Sequence, residues 1–384
     1  MPAAAHDPTR LKPGQPRVRA FAPSRESAVV IPLRSVLRCA GCKSRENAPV
    51  PTVIPTLELI RLRARQGSRP GDRNDDCRLA LVIEGGGMRG VVSGGMVAAL
   101  EHLGLRNVFD VVYGSSSGAM AGAYFVASQA RFGTTIYYQC LGGRRFIRKL
   151  NLLSRRPVMD TSYLIDHVCR DVRPLDTSAI LDSDIPLNVI GSSMRHRAPV
   201  TISEFSRDED VFEALRCSIT VPGIAGAAVP YNDDFLFDSA LYESIPLRTA
   251  RAAGATHALV LLTRTRGTTR EAPGLVSSAL LRFALRHQPA EIVEDWLQIH
   301  HGYSREMDEI RNAESGACPD IHAQRVQLDG TPGNVSQLET RPAVLESAAR
   351  DGFDAVFSAL GLDGFIATQV LGGSFRSGAT AGIA

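Results

Sequence analysis

The chain of 384 residues is long enough for one large domain or two ordinary ones, and its 44% hydrophobic and 22% charged residues are typical of a soluble globular protein. No apolar run approaches the roughly 18–20 residues needed to span a bilayer, and residues 1–28 lack the continuous apolar core of a secretory signal. Seven scattered cysteines favour free thiols in a reducing compartment. We therefore expect a cytoplasmic location, with peripheral contact to an anionic membrane surface as the open alternative.

The net charge of +3 conceals a basic N-terminal segment. Residues 1–76 hold 14 Lys and Arg against 7 Asp and Glu, and 10 of the 22 prolines. Such a segment is typical of disorder, so we predict a tail over residues 1–76 in which only the apolar stretch 50–60 docks on the domain. We interpret it as a solvated linker; attraction to anionic lipid and organelle targeting stay open. Cys39 and Cys42 form a lone CxxC there, without the further ligands that structural zinc needs.

From residue 79 onward, short apolar runs alternate with amphipathic stretches, which predicts an α/β sheet. Strands are predicted at 79–83, 109–113, 186–191, 199–204, 234–238 and 257–263. Helices are predicted at 91–103, 117–130, 208–217, 245–253 and 344–360, and residues 271–315 are helical in composition. We divide the chain into the tail, a catalytic domain at 77–265, a helical extension at 266–365 that packs on the same domain, and a flexible end at 366–384.

A serine turn, Gly114-Ser115-Ser116-Ser117-Gly118, follows the second predicted strand and opens a helix. In a G-x-S-x-G turn the serine stands at the apex, and the glycines let neighbouring backbone and substrate approach closely. The adjoining helix N-terminus favours negative charge. This register predicts Ser116 as the nucleophile of an acyl-transfer site, although the motif alone also fits a plain small-residue turn.

A glycine-rich loop, Glu84-Gly85-Gly86-Gly87-Met88-Arg89-Gly90, follows the first predicted strand. Its exposed backbone N–H groups can hold an oxyanion or a phosphate. Gly85, Gly87 and Gly90 also match G-x-G-x-x-G. A dinucleotide site would place an acidic residue at the end of the second strand, whereas Asp110 opens that strand. A nucleotide site is therefore the weaker alternative.

The serine hydroxyl needs a group that takes its proton. Asp238 ends the predicted strand 234–238, where its carboxylate could reach Ser116 directly. None of the nine histidines accompanies a catalytic motif, so a Ser116/Asp238 dyad is the economical prediction. A Ser-His-Asp triad, with His257 or His322 as its histidine, stays open as the alternative mechanism.

Together these residues resemble the patatin-like phospholipase family. The family pattern is G-G-G-x-R/K-G, then G-x-S-x-G, then a distant D-G-G or D-G-A. This chain matches the first two parts at 85–90 and 114–118 and has Asp238-Ser239-Ala240 in place of the third. The stretches Leu215–Gly223 and Tyr242–Ala253 are similar as well. The resemblance covers residues 78–265, with a helical extension to about residue 362. The motif residues besides the catalytic ones are Gly85, Arg89, Gly90, Gly114, Gly118, Ser239 and Ala240.

The resemblance implies a three-layer α/β/α fold around a largely parallel sheet, and hydrolysis of phospholipid or lysophospholipid esters without a metal or organic cofactor. Ser116 would be the nucleophile and Asp238 its base, with an acyl-serine intermediate. The oxyanion hole would be formed by the backbone N–H groups of Gly86, Gly87 and Met88. The resemblance further implies that Arg89 holds the loop or meets a head-group phosphate. No nucleic acid partner is expected.

Ser239 departs from the family pattern, which has glycine there. If this position needs φ > 0, serine is strained by about 1 kcal/mol or more and Asp238 is displaced. Two alternatives therefore stay open: a catalytically silent lipid- or partner-binding protein, and an acyltransferase. A basic cluster lies further along the chain and is interpreted as a solvated helix face, with contact to anionic lipid as the alternative. Its members are Arg144, Arg145, Arg148, Lys149, Arg155 and Arg156.

Overall fold

The computed structural model describes residues 54–362 except 154, 155, 269, 271, 273 and 331–334. The predicted tail up to residue 53, including its CxxC, and the predicted flexible end lie outside the described residues. The helices are α1 Thr56–Gln66, α2 Val91–His102, α3 Ser117–Val126, α4 Ala130–Thr134, α5 Ile136–Gln139, α6 Thr177–Leu181, α7 Asp208–Ile219, α8 Leu247–Ala252, α9 Leu275–Ala284, α10 Ala290–Leu297, α11 Ile299–Glu314 and α12 Pro342–Ala359. The strands are β1 Leu79–Ile83, β2 Val111–Ser115, β3 Leu187–Ser193, β4 Ala198–Ile202, β5 Val229–Tyr231, β6 Asp234–Asp238, β7 His257–Leu261 and β8 His322–Val326.

The described strands form one sheet in the order β5-β6-β3-β2-β1-β7-β8, with β4 paired to β3. The five strands from β3 to β8 in this order are parallel, whereas β4, β5 and β6 pair antiparallel. Parallel strands that are buried on both faces consist of continuous apolar runs, as β1 does. The predicted α/β class with a largely parallel sheet is confirmed.

Alternate residues of β1 separate two helical layers. Leu79, Leu81 and Ile83 belong to the core beneath α2, α3, α7 and α12. Ala80 and Val82 face the second core, which α8 and α11 cover. Successive side chains of a strand point to opposite faces, so the apolar run at 79–83 supplies both cores at once. The layers are therefore α/β/α.

Two strands of the sheet were not predicted from the sequence. The predicted helical extension contains β8, which pairs in parallel with β7 and continues the sheet. The alternation in His322–Val326 is weak because polar residues fill three of its five positions. The hairpin strand β5 was not predicted either, since Val229–Tyr231 has only three residues and a central proline.

Residues 54–76 belong to the folded domain, so the predicted disorder is wrong for residues 61–76, whereas the described part of the stretch 50–60 packs on the domain as expected. Within α1, Leu59 and Ile60 are fully buried, as is Arg63. The Arg63 guanidinium binds both carboxylate oxygens of Asp75 and one of Asp110. Basic composition suggested a solvated segment, but one arginine of this segment is an internal ion-pair partner.

Candidate active site

Ser116 stands in a sharp turn between β2 and α3, with φ 52° and ψ −123°. This left-handed backbone is unusual for a residue with a side chain. The flanking glycines allow it: a Cβ on Gly114 would lie 2.5 Å from the Ala119 Cα, and one on Gly118 would lie 2.4 Å from the Ile83 oxygen. The turn thus matches the nucleophile-elbow geometry that the motif predicts.

The sheet register brings Ser116 and Asp238 together. Ser115 pairs with Ile190 of β3, and the next β3 residue, Gly191, pairs with Asp238 at the end of β6. The Ser116 Oγ donates a hydrogen bond of 2.6 Å to Asp238 Oδ2. The other carboxylate oxygen, Oδ1, accepts the Ala240 amide at 2.9 Å. Two residues separated by 122 positions therefore form one polar pair.

Burial controls the protonation of this pair. Asp238 is only 2% exposed, and this burial raises the pKa of its carboxyl to about 6. Hydrogen bonds from Ser116 and Ala240 and the charge of Arg270 act in the opposite direction, since they stabilise the ionised form. The carboxylate is ionised at neutral pH but basic enough to accept a proton, as a general base requires.

Residues at the C-terminal end of α7 hold the pair in place. The Ser116 amide donates to Ser218 Oγ at 2.8 Å, and that hydroxyl donates to the Ile190 oxygen at 2.5 Å. The Asp238 amide donates to the Thr220 oxygen at 2.9 Å. Ser218 and Thr220 carry no catalytic motif of their own and were not predicted, although both lie in the stretch 215–223 that resembles the family.

The glycine-rich loop lies beside Ser116 and has two backbone amides without a described hydrogen-bond partner. Gly86 and Gly87 line the cavity beside Ser116, and no described residue accepts a hydrogen bond from either amide. Gly87 has φ 58°, which favours glycine. The Met88 amide donates to the Gln337 oxygen at 3.1 Å, so it differs from the expectation of a third free donor.

Arg89 lies behind this loop. It is 5% exposed, its Nε donates to Thr263 Oγ1 at 3.1 Å, and burial lowers its pKa. The Thr263 hydroxyl in turn donates to the Gly85 oxygen at 3.3 Å. These contacts fit the expectation that Arg89 holds the loop.

Ser239 does not carry the expected strain. It lies in the short 3₁₀ turn Ser239–Leu241, and its φ angle is not positive. Its hydroxyl is buried without a described hydrogen-bond partner. Glycine is therefore not needed at this position for backbone reasons, and the concern that Asp238 is displaced is removed.

The two histidines of the alternative triad lie at the opposite end of the sheet. His257 pairs with Leu79 and His322 at the first residues of their strands, whereas Ser116 follows the last residue of β2. The His257 ring contacts the Ile54 oxygen and the Thr256 hydroxyl, each at 2.9 Å. Neither ring can reach Ser116, so the triad is excluded by placement.

A cavity of about 340 Å³ opens over the Ser116 and Asp238 pair. Its only charged lining residues in the described chain are Asp238 and Arg270. Most of the wall is apolar and comes from α3, α9, α10 and the segment 141–164. Apolar members include Met120, Phe146, Leu164, Leu281, Leu285 and Trp296. Such a cavity suits an apolar chain whose polar end reaches the hydroxyl.

The mainly parallel sheet, the serine elbow and the neighbouring glycine loop define an α/β protein with a candidate acyl-transfer site. A family model described as patatin-like phospholipase matches residues 81–251. Residues 81–251, which include the glycine-rich loop, the serine turn and Asp238, are thus similar to this family.

Two individual proteins are similar to this chain. The uncharacterized protein YjjU of Escherichia coli (strain K12) is 24% identical over 216 residues, which are 56% of this chain and 57% of that protein. The chain thus spans a little over half the length of this curated relative. The crystal structure of VipD from Legionella pneumophila covers 75% of this chain and 67% of its own, with a TM-score of 0.37 and 11% identity.

Proposed function

We propose that the protein is a serine acyl hydrolase that cleaves carboxylic ester bonds of phospholipids or lysophospholipids through Ser116 and Asp238. The observation that carries the proposal is the 2.6 Å hydrogen bond from Ser116 Oγ to Asp238 Oδ2 in the wall of an apolar cavity. A buried carboxylate in contact with an elbow serine is the base that such a nucleophile needs. The patatin-like domain supports lipid as the substrate class.

Acylation begins when Ser116 Oγ attacks the ester carbon while its proton moves to Asp238. The carbonyl oxygen becomes an oxyanion, and we assign its stabilisation to the amides of Gly86 and Gly87, which line the cavity. The tetrahedral species collapses, the ester C–O bond breaks, and the leaving alkoxide takes the proton from Asp238. The acyl group remains on Ser116, and the alcohol part of the lipid leaves.

Deacylation repeats these steps with water. Asp238 accepts a proton as the water oxygen attacks the acyl carbon, and the second oxyanion meets the same two amides. Collapse releases the fatty acid, and the proton returns to Ser116 Oγ. The removal of one oxyanion donor from such a site costs on the order of 100–1000-fold in rate.

Arg270 supports a substrate that carries a phosphate. It lines the same cavity as Asp238, and burial is the main cause that lowers its pKa to about 10, so it remains cationic at neutral pH. A guanidinium in an apolar wall suits an anionic group close to the scissile ester, since planar bidentate contacts favour phosphate. A cytoplasmic location with peripheral membrane contact stays part of this proposal.

The test compares fatty-acid release by the wild type with that by Ser116→Ala and Asp238→Asn. The GSSSG turn offers a matched control in Ser115→Ala, because Ser115 Oγ donates to the Glu243 oxygen and lies outside the cavity. We expect losses of roughly 1000-fold or more in the first two variants and a change within about threefold in the control. A fluorophosphonate probe should label Ser116 in the wild type.

The choice of substrate distinguishes the remaining candidate functions. Lysophosphatidic acid and the neutral monoacylglycerol of the same chain length test the phosphate preference, and a soluble p-nitrophenyl ester tests the dyad alone. Full activity in Ser116→Ala would refute the assignment. Acyl transfer to added glycerol in place of free fatty acid would identify a transferase. A wild type that hydrolyses no ester and is not labelled would instead be a silent binding protein.

A further inference from the structure

We propose that a membrane-docking surface surrounds the mouth of the catalytic cavity and that its partner is an anionic lipid bilayer. The surface consists of the outward side of α9 and the basic turn at residues 144–150. The inference rests on the proposed function, because the docked bilayer would hold the lipid substrate. It adds the location of the contact and the residues that make it.

Helix α9 is apolar on both sides. Leu281, with Leu285 just after the helix, lines the cavity. The outward residues Leu275, Leu280 and Phe283 are 92%, 44% and 50% exposed. Six large hydrophobic side chains are strongly exposed in the described chain, three of them on α9 and a fourth, Leu150, in the basic turn. This concentration marks an interaction site, since single scattered residues would need no explanation.

Cationic side chains accompany these apolar residues. Residues 274–289 contain no acidic residue, and the exposed Arg282 and Arg286 stand beside Phe283. Arg282 contacts Glu294 of the next helix at 3.4 Å between exposed atoms. Residues 144–153 also lack acidic residues, and four of their cations are exposed: Arg144, Arg145, Arg148 and Lys149.

The loop at Gly223 and Ile224 contacts both parts of the surface. The Ile224 oxygen accepts the amides of Val158 and Met159, which follow the basic turn, at 2.7 and 3.0 Å. A Cβ on the neighbouring Gly223 would lie 2.3 Å from the Ala284 oxygen at the end of α9. Phe146, Ile224 and Leu281 line the same cavity. The basic turn and α9 therefore contact the same loop and border the same cavity.

A bilayer fits this combination better than a protein partner does. Apolar side chains on a helix, flanked by arginine and lysine, are the features by which helices lie in the headgroup region of anionic membranes. The cavity beneath is lined by apolar residues, so a lipid chain can leave the bilayer without crossing water. A second copy of this chain would bring equal positive charge against the same surface.

Docking is measured by co-sedimentation of the full chain with vesicles. All proteins carry Ser116→Ala, so that the lipid stays intact. The vesicles are phosphatidylcholine alone or with about 30 mol% phosphatidylglycerol. The apolar test variant is Leu275→Ser/Leu280→Ser/Phe283→Ser, and the charge variant is Arg148→Glu/Lys149→Glu. Matched controls are Phe235→Ser, which removes a 52% exposed phenylalanine outside the surface, and Arg195→Glu.

We expect the parent to prefer anionic vesicles, the apolar variant to bind them at least about tenfold more weakly, and the charge variant to lose the preference. The controls should bind as the parent does. Unchanged binding by the apolar variant would overturn the proposal, as would a concentration-dependent dimer that this variant abolishes.

A second readout separates this inference from the proposed function. With Ser116 restored, the surface variants should hydrolyse a soluble p-nitrophenyl ester as the wild type does, which also shows that they are folded. Retained ester hydrolysis with unchanged vesicle binding would refute the docking surface alone. Altered vesicle binding without any ester hydrolysis in the wild type would refute the proposed hydrolase and leave the surface supported.

Discussion

Asp238 is the residue whose environment most directly sets the proposed chemistry. It meets Ser116 at 2.6 Å, lies in the interior, and has no described arginine or lysine within hydrogen-bonding contact. Desolvation disfavours the charged form of a carboxyl group, which raises its pKa to about 6. An unshifted carboxylate would be a weaker base, so burial improves proton transfer from the serine.

We therefore expect the activity to rise with pH around the pKa of Asp238. The base must be ionised, so kcat/KM for a soluble p-nitrophenyl ester should increase tenfold per pH unit below about 6 and level off above it. The profile is measured from about pH 4.5 to 8.5 and corrected for spontaneous hydrolysis, with Ser115→Ala as the control. A profile that stays nearly flat down to about pH 4.5, as expected for an aspartate with the ordinary pKa of about 3.9, would contradict the assignment.

The sequence predicts the Ser116 and Asp238 pair because each residue stands at the end of a short apolar run, next to small residues. Both signals are local, and the register of β3 then fixes how the two residues meet. Arg270, Gln337 and Ser218 were not predicted, since their roles depend on where distant loops pack. The Met88 amide shows the same limit: its partner is 249 positions away in the chain.

At the scale of elements, α2 and α12 pack so closely that only glycine fits at their crossing. A Cβ on Gly95 would lie 1.9 Å from the Ala349 oxygen, and one on Gly352 would lie 2.1 Å from the Val92 oxygen. The amphipathic pattern predicted both helices but could not show that they touch. Because α2 follows directly after the glycine-rich loop, this contact also fixes the base of the candidate oxyanion hole.

We expect Gly95→Ala to destabilise the protein by about 1–3 kcal/mol or more, because the helices must separate. Gly302→Ala is the matched control: this glycine lies within α11, and a Cβ there meets nothing within 4 Å. Alanine is the better helix former, so the control should gain about 0.5–1 kcal/mol. Urea unfolding measures both changes, and equal stabilities of the two variants would refute the close-contact argument.

At the scale of the whole molecule, α1 ties together parts of the chain that are far apart in sequence. Arg61 donates to the Leu360 oxygen after α12, and Thr56 donates to the His322 oxygen in β8, each at 2.9 Å. Arg63 joins Asp75 to Asp110 at the start of β2. The domain boundary that composition predicts at residue 76 therefore separates α1 from the domain to which it belongs.

Replacement of Arg63 tests whether α1 is part of the cooperative fold. Arg63→Met would leave the carboxylate of Asp75, which is 19% exposed, without its arginine, and Asp110, which is 16% exposed, with Arg73 alone. The loss of one partner from a buried ion pair costs about 3–5 kcal/mol, so we expect a destabilisation of at least about 3 kcal/mol. Arg65→Met in the last turn of the same helix removes an exposed arginine and should change stability by less than about 0.5 kcal/mol.

The free energy of unfolding in urea, measured for both variants, tests this prediction. If Arg63→Met unfolds like Arg65→Met, α1 is an appendage of the domain; a selective loss shows that residues 54–76 are part of the cooperative fold that supports the site.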